Sequence, residues 1–289
     1  MQILINGLLQ GILFGAIGVA FALVYRTTKV FYISLGGVYA LAPYFLLAAM
    51  AAGLPVFIGV LISVTLAVVV SMLAEETIHW PFERKRSPPE VHLIGSLGYY
   101  LILVQIIALI WGNETRILHE GMVSTWHTFG VTIAQAQLLG PIFALSVVML
   151  LVVWLSRANR GLELRALADN PILVALMGRN VRALRRWVFG LSGAMVAVAA
   201  LSQAWDVGFD PYIGLNAVLL GMVAMIIGGT ATFIGPFVGG VLLGILRGQV
   251  VWYGSARWED AATFVLLALF LFVRPQGIFG RRARLEEGT

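Results

Sequence analysis

The chain has 289 residues, 60% of them hydrophobic and only 11% charged, with a net charge of +5 and no cysteine. Soluble domains carry about 45–50% apolar and about 25% charged residues, so no water-soluble core could hide this much apolar surface. The lack of cysteine closes disulfide and thiolate-metal chemistry, and the histidines His79, His92, His119 and His127 show no metal-binding spacing. The basic residues sit in short loops between apolar runs, so they report membrane topology and not a nucleic-acid footprint.

Apolar runs bounded by polar punctuation predict spans at residues 3–24, 30–52, 56–78, 92–111, 137–156, 187–207, 213–229, 234–253 and 258–273. The expectation is one all-α polytopic membrane domain over residues 1–289 with about nine helices, in the range of eight to ten. The segment 30–52 carries Gly36, Gly37 and Pro43, and 213–229 is short, so either can be broken or re-entrant. Apolar character begins at Ile3 without a basic leader, which makes the N-terminus the start of the first span.

Retained positive charge marks cytoplasmic loops. Arg26 and Lys29 follow the first span and Arg84, Lys85 and Arg86 the third. Seven arginines lie between Arg157 and Arg186, and Arg274, Arg281, Arg282 and Arg284 close the chain. With nine alternating spans all four groups fall on one side, and the other receives Arg116 and Arg257 with the acids Glu114, Glu120, Asp206 and Asp210. This places the N-terminus outside and the C-terminus in the cytoplasm.

The longest predicted cytoplasmic loop, residues 157–186, is patterned like a structural element. Leu162, Ala166, Leu173, Leu176 and Met177 can line one face of one or two short helices, and Asp169-Asn170-Pro171 offers a cap and a first-turn proline between them. Such a segment either lies in the lipid headgroups or docks its apolar anchors into a cytoplasmic partner. Gly7, Gly11 and Gly15, four residues apart, predict a flat strip for close helix crossing. The glycines around Pro236 (Gly228, Gly229, Gly235, Gly239, Gly240) fit either packing or exposed backbone beside a solute. Arg247 is the one cation well inside a span; it snorkels to the surface, pairs with Glu259 or Asp260, or meets a carboxylate on a solute path. Glu75 and Glu76 fall near the cytoplasmic end of their span and face the interface or its arginines.

Three stretches then resemble one family. Arg165, Ala166, Ala168, Asp169, Ala175, Gly178, Asn180 and Val181 stand where the membrane subunits of branched-chain amino acid ABC importers carry their cytoplasmic coupling loop. GGTATFIGPFVGGVLLGIL at residues 228–246 and RPQGIFG at the end of residues 258–280 are similar to two further family segments. GLLQGILFGAIGVAFALVY at residues 7–25 extends the likeness through almost the whole chain. One departure stands out: where the family has an Asn-Phe-Ala-His-Gly run, this chain reads Tyr32-Ile33-Ser34-Leu35-Gly36. The family also includes urea, short-amide and aromatic-acid importers, and this departure leaves the solute open among them.

The resemblance implies a permease subunit of a binding-protein-dependent importer in the bacterial inner membrane. Its implied partners are a second homologous permease, two cytoplasmic ATPases that use ATP and magnesium, and a periplasmic or extracellular solute-binding protein. The implied ATPase-coupling residues are Arg165, Ala166, Asp169, Asn170, Leu173, Ala175, Met177 and Gly178. Candidate solute-path residues, drawn from polar or backbone-exposing positions, are Ser34, Gly36, Gly37, Asn216, Gly228 and Arg247. The chain has no phosphate-cradling GxxxxGK[ST] loop, so it binds no nucleotide of its own and its energy comes from partners. The alternative is a stand-alone ion-coupled carrier, which calls for an inverted repeat and a mid-membrane carboxylate; neither is evident. An intramembrane enzyme needs a polar catalytic group within the spans, and all four histidines fall in loops or at span ends.

Overall fold

The structure, a computed structural model, describes residues 2–118, 125–128 and 131–280. His119, Glu120, Arg281, Arg282 and Arg284 lie outside the described residues. The helices in chain order are α1 (Gln2–Thr28), α2 (Leu35–Ala51), α3 (Val56–Ala74), α4 (Trp80–Arg84), α5 (Pro89–Trp111), α6 (Gln135–Arg157), α7 (Asn159–Asp169) and α8 (Pro171–Leu176). They continue with α9 (Val181–Val207), α10 (Ile213–Gly228), α11 (Ile234–Tyr253) and α12 (Glu259–Val273). Among the described residues the extended pairing is one short antiparallel hairpin, β1 (Thr125–Thr128) with β2 (Val131–Ala134), and an isolated bridge between Arg116 and Phe209.

Among the described residues, six helical stretches are long and apolar enough to cross a membrane: 2–28, 56–84, 89–111, 137–157, 181–207 and 234–253. The apolar helices α2 and α10 are shorter, 17 and 16 residues. At 1.5 Å per residue they reach about 26 Å and about 24 Å, short of the roughly 30 Å hydrocarbon layer. They are the two segments in which the sequence allowed a break, and their N-terminal ends meet: a Cβ on Gly36 would lie 2.8 Å from the carbonyl oxygen of Gly214.

Helices α1 and α9 form the buried axis, while α3, α5 and α6 turn most of their surface outward. Phe57, Leu109 and Leu150 are exposed on that outer shell, as lipid-facing residues would be. Without a hydrophobic drive between helices in lipid, close approach and interhelical hydrogen bonds must hold the axis. Both are present. A Cβ on Gly11 would stand 2.8 Å from Val241 Cα, and one on Gly7 2.9 Å from the Gly244 oxygen, so the glycine strip of α1 seats α11 backbone to backbone. Ser192 Oγ donates to the Ala20 carbonyl at 2.9 Å, Ser63 Oγ to Ala42 at 2.6 Å and Ser71 Oγ to Phe189 at 2.7 Å.

The RPQGIFG tail has a mechanical reason. The amides of Ile278 and Phe279 donate to the carbonyls of Ile227 (2.8 Å) and Gly228 (3.1 Å), satisfying groups that the end of α10 leaves without helical partners. Gly229, at φ 87°, turns the chain out of α10 at that point, a conformation that favours glycine.

Candidate functional site

The two ends of the bundle carry different chemistry. They are joined by α1, on which Gln10 and Arg26 are separated by about 24 Å.

At the end carrying Arg26, residues 157–186 form the two predicted short helices. Asn170 caps α8 by accepting from the amides of Ile172 (3.0 Å) and Leu173 (3.1 Å), with Pro171 at the first helical position. Gly178, at φ 76°, ends α8 in the left-handed region, and Asn180 caps α9 by accepting from the Ala183 amide at 3.1 Å. Leu164, Leu167 and Val174 turn inward and are buried. Leu162, Ala166, Leu173, Leu176 and Met177, the predicted stripe, are all exposed, with Ile172 beside them. Asp169, Asn170, Ala175 and Gly178 are exposed on the same segment, and Arg165 is half-buried, donating to the Ser156 carbonyl at 3.2 Å.

Beneath these helices lies a lattice of ion pairs. Arg185 on α9, almost wholly enclosed, donates through Nε to the buried Glu75 and through Nη1 to Glu83 at 3.0 Å. Arg182 and Arg186, one turn apart from each other, both pair with Glu76. A π-helical turn over Glu75–His79 joins α3 to α4 and brings both Glu75 and His79 to the inside. His79 and His92 stack with ring planes 1° apart and their Nδ1 atoms 3.4 Å from each other, and His79 lies edge-on to Tyr32 and beside Phe189. The sequence puts His79 and His92 at span ends, where both lie, and the structure adds that both are buried. The extra residue per turn in the π segment turns His79 onto a buried face, which periodicity at 3.6 cannot reveal, and His92 meets it from the first turn of α5. Glu75 and Glu76 do find arginines, but Glu75 lies inside the protein and not at an interface.

At the other end a cavity of about 280 Å³ opens between α1, α2, α9, α10 and α11. Its polar lining includes Gln10, Gln203, Asn216, Arg247 and Glu259, and its apolar wall Leu13, Phe14, Ile17 and Leu220. A smaller adjoining cavity shares Gln10 and Gln203 and adds Asn6, Gln137 and Asp206. Of the six solute-path candidates, the structure brings Asn216 and Arg247 together here. Ser34 is buried against Ser96, with its amide on Ser96 Oγ at 2.9 Å. Gly36 packs on Gly214, Gly37 on Leu103 and Gly228 on Gly235. Arg247 is held in the way the charge pattern allowed: Nε on Glu259 at 2.8 Å, and Nη1 on Asp260 and Thr263, each at 3.0 Å. Gln10 and Gln203 were missed from the sequence, where each is a lone carboxamide in an apolar run. Their shared position in the fold is what groups them.

The chain matches the family model described as branched-chain amino acid transport system / permease component over residues 3–274. It is 26% identical to the high-affinity branched-chain amino acid transport system permease protein LivH of Escherichia coli (strain K12), covering 97% of this chain and 96% of that protein. It is also 26% identical to BraD, the corresponding permease protein of Pseudomonas aeruginosa, with the same coverage. A chain in the solved structure of PsaBC from Streptococcus pneumoniae in complex with Fab superposes with a TM-score of 0.54 at 12% identity, over 96% of this chain and 92% of that one, a likeness of fold alone. With the family pattern running almost from end to end of a multi-pass helical bundle, the chain belongs to the permease component family of branched-chain amino acid transport systems.

Proposed function

We propose that this permease serves a binding-protein-dependent ABC importer of the inner membrane, carrying branched-chain amino acids or a related small amide or carboxylate. Nine crossings with the N-terminus outside agree with the distribution of arginines, and the end bearing α7 and α8 then faces the cytoplasm. A second, homologous permease completes the path, two ATPases using ATP and magnesium dock from below, and a solute-binding protein delivers from outside.

The observation that carries this reading is the exposed apolar end of α8. Ile172, Leu173, Leu176 and Met177 are exposed on and just after a capped helix that lies outside the candidate spans. Exposed large apolar side chains on a short capped helix suit the anchors of a helix-in-groove contact. The ion pairs from α9 to Glu75, Glu76 and Glu83 supply the second half of the mechanism, because they tie the helix that follows the docking segment to the π turn at the end of α3 and to α4. A push on α8 therefore moves α3 and α9 together, and closure of the ATPases shifts the population between two rigid arrangements of the path.

Affinity purification of the chain from gently solubilised native membranes tests the partners: an ATPase and a second permease are expected, and recovery of this chain alone in several detergents would sink the reading. The coupling surface is tested by Leu173→Glu with Met177→Glu. Both side chains are exposed, so the double variant should reach the membrane at normal levels and lose the coupling of ATP hydrolysis to uptake; normal coupled uptake would remove α8 from the interface.

A further inference from the structure

We propose that the 280 Å³ cavity is a water-filled solute subsite in which Gln10, Gln203 and Asn216 hydrogen-bond a net-neutral solute, and that Arg247, although in its wall, is not a solute contact. The inference rests on the permease reading above and assigns its site.

Burial and partnering carry the argument. Gln10 and Asn216 are exposed and Gln203 half-exposed, on helices whose neighbouring residues are apolar or packed. Among the described residues none of these three side chains makes a hydrogen bond within the protein. An unpartnered carboxamide turned toward hydrocarbon costs several kilocalories per mole, so three of them converging from α1, α9 and α10 require water or a polar ligand beside them. Asn6, one turn before Gln10 on α1, extends the same polar face into the adjoining cavity.

The chemistry of the lining sets the class of solute. A carboxamide offers both donors and an acceptor without charge, so three of them can meet an ammonium and a carboxylate, or an amide, equally well. Leu13, Phe14, Ile17 and Leu220 leave an apolar wall for the remainder of the molecule. Arg247 would draw a bare carboxylate if its charge were free, but its Nε and Nη1 are committed to Glu259, Asp260 and Thr263, and its side chain is 7% exposed. Glu259 and the nearby Asp206 leave the lining without a surplus of positive charge. A net anion therefore finds no unneutralised cation, whereas a zwitterion or neutral amide can satisfy both polar ends. The volume, just below the range of about 300–1,000 Å³ for small-molecule pockets, suits a compact solute.

The absence of cysteine makes the test direct. Single variants Gln203→Cys and Asn216→Cys in the assembled importer are treated from outside with a charged, water-soluble thiol reagent, and modification of this chain is read by mass. Leu109→Cys, exposed on the lipid-facing shell, serves as the unreactive control. Both cavity positions should react, leucine should slow the reaction several-fold, and 4-methylpentanoate, which is leucine without its ammonium, should not. Inert cysteines at both positions overturn the water-filled cavity whatever the substrate is. Reactive cysteines that leucine leaves unprotected, in an assembly that imports leucine, overturn the solute subsite. Failure of the wild-type assembly to import leucine counts against the substrate in the permease reading; reactivity then decides the aqueous cavity, and protection by the solute actually imported decides the subsite. Arg247→Lys should retain leucine protection, and loss of protection at unchanged thermal stability would make the arginine a solute contact after all.

Discussion

The two ends of this bundle solve opposite problems with polar residues. Around Arg185 the charges are many and closed on one another: Arg185 and Glu75 are buried, and each of Arg182, Arg185 and Arg186 has a carboxylate. Around Gln203 three uncharged carboxamides, Gln10, Gln203 and Asn216, turn toward a cavity and have no hydrogen-bond partner among the described residues. Charges that must transmit force need fixed partners, since an unpaired buried charge is the costliest state available to the protein. Groups that must release a solute need the reverse, a hydrogen-bonding capacity that the protein itself leaves unsatisfied.

Breaking the lattice should therefore cost the most. Arg185→Met strands Glu75 in the interior, and loss of one partner of a buried pair costs about 3–5 kcal/mol. The expected outcome is a large fall in thermal stability of the detergent-solubilised protein, recovered in part by adding Glu75→Gln. An Arg185→Met protein as stable as the parent would show that the pair carries no load. The cap between α7 and α8 should come next: Asn170→Ala removes acceptance from two amides and costs about 0.5–2 kcal/mol, felt locally. Limited proteolysis should show faster cleavage within residues 157–186, with the rest of the bundle unchanged. Smallest in stability, and sharpest as a contrast, is Gln203→Leu. With no internal hydrogen bond to lose, its stability should stay within about 0.5 kcal/mol of the parent while uptake falls. A large loss of stability there would erase the distinction between the two ends.

Much of the architecture was legible residue by residue. Apolar runs located the helices, the glycine spacing on α1 announced a close helix crossing, and Asn170-Pro171 marked the start of α8. These signals are local: they depend on side-chain bulk, a proline ring or a left-handed turn, all within a few residues of chain. Arg247 was legible as a set of alternatives because its carboxylates lie only 12 and 13 residues away, and the structure chose the pairing. Illegible features were those made between distant segments. Ser34, Gly36, Gly37 and Gly228 looked like solute positions for their small or polar character, and each instead meets backbone or a side chain from another helix.

By itself the sequence determined that this is a helical membrane protein, where its helices run, how the segment 157–186 is capped and to which family its motifs point, because hydrophobic length, capping and glycine spacing act along the chain. Only the tertiary structure decided which polar groups are spent and which are free. The π turn that carries Glu75 and His79 inward, the closing of Arg247 onto α12 and the meeting of Gln10, Gln203 and Asn216 around one cavity all depend on the relative rotation and depth of packed helices. No periodicity within a single helix contains that information.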